Sequence, residues 1–260
     1  MKAISLHSIV PVRAEARESA EQTTQLLFGE LVTVLERAER WQRVRLESDG
    51  QVGWVDAKMI CPMKKEEYTA HRAALADAAV VSFPMTYAVS ENNGQTIPLT
   101  AGTRLTHYAD GRFEVLGVGF RIDVSMVSVQ PKELTQENLL QTVRFFLNTP
   151  YLWGGKSAMG MDCSGFTQVV MSLFGKQLLR NASEQVKQGR KVSDRKKVQA
   201  GDLLFFDHHD GKISHVGIAI DAERVIHCSG RVKVEKWDEQ GIYSAEQGTY
   251  THCLAAIRRV

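Results

Sequence analysis

A cysteine heading an apolar helical stripe, followed by two short β-type runs that each carry one histidine, is the pattern that most restricts the fold of this chain. Cys163 is followed by Phe166, Val169, Val170, Leu173 and Phe174, offsets of three and four that line one face of a helix, and Gly175 supplies a stop. Cys163 therefore stands at a helix N-terminus, where unsatisfied N–H groups and the macrodipole favour a thiolate over a thiol. Asp162 just before it is a preferred N-cap residue. An unpaired cysteine is about as often a small buried hydrophobe, so the histidines decide between the two.

In Ile213-Ser214-His215-Val216-Gly217-Ile218-Ala219-Ile220, period-two alternation places His215, Gly217 and Ala219 on one face and Val216, Ile218 and Ile220 on the other. Gly217 and Ala219 leave room on the histidine face for a second element, and the helix that starts at Cys163 is the natural one. Val225-Ile226-His227 reads as the return strand. With a three-residue loop, Gly217 falls opposite His227 and the two histidines become diagonal neighbours on one face. A thiol, a base and a group that orients the base are the parts of an activated nucleophile.

Five blocks occur in order: Thr149-Pro150-Tyr151-Leu152-Trp153-Gly154-Gly155, Asp162-Cys163-Ser164-Gly165-Phe166, Ala200-Gly201-Asp202-Leu203-Leu204-Phe205-Phe206, His215-Val216-Gly217-Ile218 and His227-Cys228-Ser229-Gly230. In these blocks the chain resembles the NlpC/P60 cysteine peptidases of bacterial cell-wall peptides, whose catalytic domain is a stripped-down papain-like α+β fold. The resemblance implies Cys163 as nucleophile, His215 as general base and His227 as the orienting third member. It also implies that Tyr151 lies beside the nucleophile, that Trp153 helps wall the substrate groove, and that Asp162 and Ser164 contact the substrate backbone. Asp162 serves equally well as a cap, and two aromatics ahead of a helix are more often core than groove. The Gly154-Gly155 turn lets backbone pass close to a ligand. The Cys163 N–H is one expected oxyanion donor.

Before residue 130 the text changes to short β-type runs with turn signals. Residues 29–35, 41–46 and 49–55, ending in Gly53-Trp54-Val55, resemble a bacterial SH3-type barrel, and residues 101–105 and 110–116 resemble a second, more degenerate one. The expected organisation is a first barrel at 1–62, a helical connector at 63–79, a second barrel at 80–130 and the catalytic domain at 131–260. That order is similar to the dipeptidyl-peptidase VI type of γ-D-glutamyl-L-diamino acid endopeptidase. The resemblance implies cleavage of L-Ala-γ-D-Glu from the diamino acid of a muropeptide with a free N-terminal alanine. That group carries Arg-Asp where this chain has Arg180-Asn181, and usually a tyrosine from the first barrel, whereas Tyr68 is the first tyrosine here. An amide accepts an ammonium hydrogen bond without supplying counter-charge. Asn181 and, as the substitute carboxylate, Glu21 are therefore the expected amine contacts.

With 260 residues, 43% hydrophobic and 24% charged, the chain can bury a sizeable core, and a net charge of +2 gives no mandate for nucleic acid or membrane. The local basic excess from Lys187 to Lys197 reads as a solvated loop. Cys61, Cys163, Cys228 and Cys253 show no CxxC spacing and read as reduced thiols. Asp207, His208, His209 and Asp210 read as a polar turn, so neither metal nor cofactor is expected. The first ten residues are too short and polar for a secretory core. A cytoplasmic monomer acting on muropeptides is the expectation, or an exported one if a signal has been removed. The alternatives are a general peptidoglycan endopeptidase, a related papain-like amidase or acyltransferase, and a non-catalytic wall-binding protein.

Overall fold

A computed structural model describes residues 1–208 and 211–260, so His209 and Asp210 lie outside the described residues. The chain forms two compact units, residues 1–131 with 153–158, and residues 132–152 with 159–260.

The N-terminal unit opens with seven strands: β1 (Lys2–Ile4), β2 (Ile9–Arg13), β3 (Gln22–Leu27), β4 (Leu31–Ala38), β5 (Trp41–Leu46), β6 (Val52–Asp56) and β7 (Cys61–Pro62). They form one sheet in the order β3-β2-β6-β5-β4-β1-β7. Alternation drives the inward set: in β5, Val44 and Leu46 are buried while Arg43 and Arg45 face out. Helix α1 (Lys65–Ala74) follows, and its one buried residue, His71, bonds the Gly29 carbonyl at 3.2 Å. Then come β8 (Ala79–Val81), β9 (Met85–Ser90), β10 (Thr96–Thr100), β11 (Arg104–Leu105), β12 (Arg112–Val115), β13 (Val118–Ile122) and β14 (Val127–Ser128), in two sheets ordered β10-β9-β13-β12 and β11-β8-β14.

These two groups of strands share a core. Phe28, from the turn after β3, meets Phe113 and Phe120 edge-on at centroid distances of 6.4 and 5.6 Å, and Ile4 and Leu31 join the same cluster. The shared aromatic contact explains why residues 1–131 form one compact unit.

Residues 153–158, with the short strand β15 (Lys156–Ser157), belong to this unit although flanked in sequence by the other. Lys156 Nζ is ion-paired with Glu30 at 3.1 Å and its N–H donates to Gln25 Oε1 at 2.9 Å. Gly154 has φ +72°, and a Cβ there would meet the Gln22 carbonyl oxygen at 2.4 Å. At Gly154 the chain segment that approaches closely is the backbone of Gln22.

The second unit contains α2 (Gln136–Val143), the strand β16 (Gly160–Met161), α3 (Cys163–Ser172), α4 (Ala182–Gln185) and the strands β17 (Arg190–Lys191), β18 (Leu203–Asp207), β19 (His215–Ala219), β20 (Arg224–Ser229), β21 (Arg231–Trp237), β22 (Gly241–Ser244) and β23 (Thr249–Arg259). Sheet order β17-β23-β18-β19-β20-β21-β22, with β22 also pairing β23, closes six of these strands into a barrel. Leu204, Phe206, Val225, Trp237 and Ile257 are among its core residues, and α3 packs on β19 and β20. The basic stretch is not simply a solvated loop. Arg190–Lys191 pairs with β23, and the Arg195 guanidinium lies over the Trp237 ring at 5.2 Å while donating to the Ala222 carbonyl. Stem burial under a charged head accounts for this placement.

Because Phe28 is fully buried between both groups of strands, Phe28→Ala is expected to cost about 3–5 kcal/mol. Hydrogen exchange should show amides of β12 and β13 losing protection together with those of β2 to β6; unchanged β12 and β13 amides would contradict a shared core.

Candidate active site

Asp162 starts α3. Its Oδ1 accepts the Gly165 N–H at 2.7 Å as an N-cap, which places Cys163 as the first helical residue. The same carboxylate is gripped by the fully buried Arg180, whose Nη1 and Nη2 lie 3.0 and 2.5 Å from its two oxygens. Arg180 Nη1 also donates to Ser164 Oγ at 2.9 Å, and Gln185 Nε2 to the Ser164 carbonyl at 3.1 Å. Removing either partner of such a buried pair leaves an uncompensated charge. Asp162 and Ser164 are thus bound into the scaffold that aims Cys163. Arg180 is a contributor that sequence reasoning assigned no role.

The histidines come from the hairpin of β19 and β20. Gly217 pairs with His227, the register expected from a short loop, and His215 Nε2 lies 2.8 Å from His227 Nδ1. Both rings are buried. A Cβ on Gly217 would approach Val225 Cγ2 to 2.6 Å and His227 Cβ to 3.0 Å, so the glycine permits this approach of strand to strand. The Cys163 sulfur accepts hydrogen bonds from the backbone N–H groups of Ser164 and of Val216, the residue that follows His215 on β19. Tyr151, half-buried, has its phenol pKa raised by burial first and then by the neighbouring Cys163 and Asp162.

Three further groups join the histidines. His227 Nε2 lies 2.9 Å from Glu235 Oε2, and Glu235 Oε1 lies 3.3 Å from Lys233 Nζ. The ring of His252 lies against that of His215 at a centroid distance of 4.2 Å, tilted 30°, with its Nδ1 2.8 Å from Thr251 Oγ1. His208 reaches the same group, its ring 5.8 Å from His252. No periodicity in β23 marks His252. Glu235 had a signal: a tight turn at Gly230 sets Ser229 opposite Arg231, hence His227 opposite Lys233. Among the described residues no group of three or more His, Cys, Asp or Glu side chains is arranged to hold a metal.

The remaining sequence candidates separate. Asn181 begins α4, its Nδ2 donating to Glu184 Oε2 at 2.9 Å. Trp153 and Glu21 lie in the N-terminal unit, where the exposed indole donates from Nε1 to Glu21 Oε1 at 2.6 Å. The structure thus gathers Tyr151, Asp162, Cys163, Ser164, His215 and His227 around one point of the second unit, and joins Glu21 to Trp153 in the first.

Comparison with known proteins agrees with this arrangement. Residues 148–250 match the NlpC/P60 family and residues 12–60 the bacterial dipeptidyl-peptidase Sh3 domain. A gamma-D-glutamyl-L-lysine dipeptidyl-peptidase of Bacillus subtilis is 33% identical over 91% of this chain and 80% of its own length. The chain belongs to the NlpC/P60 family. Dipeptidyl-peptidase 6 of Lysinibacillus sphaericus is 34% identical over 40% of this chain and 38% of its own length. An NlpC/P60 family protein of Bacillus cereus, known from a crystal structure, superposes with a TM-score of 0.83 at 21% identity, covering 100% of this chain and 99% of that one, which shows the fold. The catalytic unit is accordingly a papain-like NlpC/P60 domain with an SH3-type domain ahead of it.

The electrostatics of the site oppose the helix terminus. A helix N-terminus argues for a thiolate, but burial pushes the Cys163 thiol up to about 11, the Asp162 charge pushes the same way, and the Val216 and Ser164 N–H groups offset only part of this. His215 is driven well below its ordinary value, first by burial and then by His227 and His252. Both shifts favour the neutral thiol and the neutral imidazole over a standing ion pair. Alkylation of Cys163 by iodoacetamide, followed by peptide mapping, should accelerate about tenfold per pH unit between pH 7 and 9, because only the thiolate reacts. Fast alkylation independent of pH from 5 to 8 would show a standing thiolate–imidazolium pair and contradict this.

Proposed function

We propose that the chain is a cysteine peptidase that hydrolyses the bond between γ-D-Glu and the diamino acid of cell-wall muropeptides, preferring substrates with a free N-terminal L-Ala. The observation that carries this is the hydrogen-bonded His215–His227 pair beside a sulfur held at the head of α3. His215 takes the proton of Cys163, the sulfur attacks the γ-carbonyl carbon, and the oxyanion forms beside the Cys163 N–H at the head of α3, which has no intrahelical acceptor. The proton then passes from His215 to the leaving amine. Water, deprotonated by the same imidazole, hydrolyses the thioester. Tyr151 stands beside the sulfur, and His227 holds the base. The activity for which the Bacillus subtilis relative is named supports the γ-D-glutamyl linkage.

The same reading makes residues 80–130 a second, degenerate SH3-like barrel, supported by its two small sheets and the aromatic core it shares with the first. Trp153 is read as a wall of the groove, Asn181 and Glu21 as contacts of the substrate ammonium, and the setting as cytoplasmic muropeptide recycling. Although position 181 is uncharged, the Glu184 carboxylate bonded to its amide supplies nearby negative charge. A general endopeptidase is the second reading, favoured by that uncharged side chain.

The test is kcat/KM for L-Ala-γ-D-Glu-diamino acid, free and acetyl-capped, with products identified by mass spectrometry. Wild type should release the dipeptide and prefer the free amine. Asn181→Asp should raise that preference several-fold, the worth of a charge-assisted hydrogen bond of about 1 kcal/mol, and Glu21→Gln should lower it. Equal ratios for all three proteins would replace the dipeptidyl-peptidase reading with a general endopeptidase.

A further inference from the structure

His215, His227 and Glu235 form one diagonal row across three neighbouring strands. Gly217 opposes His227, and Lys233 opposes His227 from the other side. His215 is two residues before Gly217 and Glu235 two after Lys233, so both side chains lean onto the His227 face. The row is closely bonded: 2.8 Å from His215 Nε2 to His227 Nδ1, and 2.9 Å from His227 Nε2 to Glu235 Oε2. The His227 side chain is 0% exposed and that of Glu235 8%.

We propose that Glu235 is a positioning residue that fixes the proton of His227 on Nε2 and thereby leaves Nδ1 of His215 free to accept the thiol proton. This deepens, and rests on, the reading of Cys163 as nucleophile and His215 as base. An ionised carboxylate only accepts hydrogen bonds. Burial works against ionisation of Glu235, yet the bond from His227, then the Ser244 hydroxyl, then the charge of Lys233 hold it at about 2, so it is a carboxylate throughout the neutral range. His227 must therefore donate from Nε2. A neutral imidazole with a proton on Nε2 accepts at Nδ1, so His215 must donate from its own Nε2, and its Nδ1 keeps the lone pair.

The competing tautomer would have His227 donating from Nδ1 to His215 Nε2. His215 Nδ1 would then carry a hydrogen and could not accept one from sulfur. Only a carboxylate at the end of the row makes that arrangement unfavourable, because it would face an unprotonated Nε2. When the thiol proton reaches His215 Nδ1, the imidazolium already donates to His227, and no proton has to leave His227. The negative charge of Glu235 lies one ring away and favours that imidazolium. His252, stacked on His215, is engaged at Nδ1 with Thr251 and stands outside the row.

Nitrogen-15 NMR of histidine-labelled protein at neutral pH reads the tautomers directly. Wild type should show both His215 and His227 protonated at Nε2; His227 protonated at Nδ1 would overturn the proposal by itself, whether or not any variant folds. Glu235→Gln keeps the shape but can present its NH2 group to His227, so the tautomers should mix or reverse. Its kcat should fall on the order of tenfold or more while KM stays within about threefold. Glu235→Asp, which keeps the charge, should retain more kcat than Glu235→Gln. A Glu235→Gln enzyme with wild-type kcat, or one more active than Glu235→Asp, would assign the residue to shape alone. Turnover surviving in Cys163→Ala would instead remove the nucleophile reading and leave the tautomer result standing.

Discussion

The 2.8 Å contact between His215 and His227 is the interaction on which the catalytic unit turns. It exists because β19 and β20 pair in a single register, Gly217 against His227. A one-residue slip would send one of the rings to the opposite face of the sheet. Gly217 enforces that register from the inside, since a side chain there would collide with Val225 and His227. The closed barrel holds the hairpin in turn, with β18 and β21 pairing its outer edges. Ala219, which ends β19, and Val225, near the start of β20, lie within one core cluster of the barrel.

A second constraint comes from α3. Its N-terminus is held by one carboxylate that caps the helix and meets a buried guanidinium, so the direction of the first turn is set by the Asp162–Arg180 pair. Burial that makes this geometry rigid also raises the cost of charge at Cys163 and His215. In the proposed mechanism the α3 terminus and the His227–Glu235 arm favour charge that appears when sulfur attacks, the condition for lowering a barrier without deepening a ground state.

Much of this was legible in the residues. The stripe from Phe166 to Phe174 gave a helix starting at Cys163, and the alternation around His215 gave both the strand and its partner register. Trp41–Leu46 was read with its observed bounds. Strand β9 was invisible for a physical reason: it buries Thr86, Ala88 and Ser90 and exposes Met85, Tyr87 and Val89, the reverse of a hydrophobic pattern. His252 reaches His215 from a strand far along the chain, a contact no local signal announces. Glu235 was within reach, since Gly230 marks the turn that places it two residues beyond the partner of His227. A helix terminus, which favours the thiolate, is visible in sequence; the burial that opposes it is not.

The most direct measurement is to mix the protein with L-Ala-γ-D-Glu-diamino acid, quench with acid within one turnover and map the adduct by mass spectrometry. A thioester of the dipeptide on the peptide containing Cys163, absent from Cys163→Ala, is the result this mechanism requires. Turnover with no adduct at Cys163, or an adduct on Cys61, Cys228 or Cys253 instead, would contradict it.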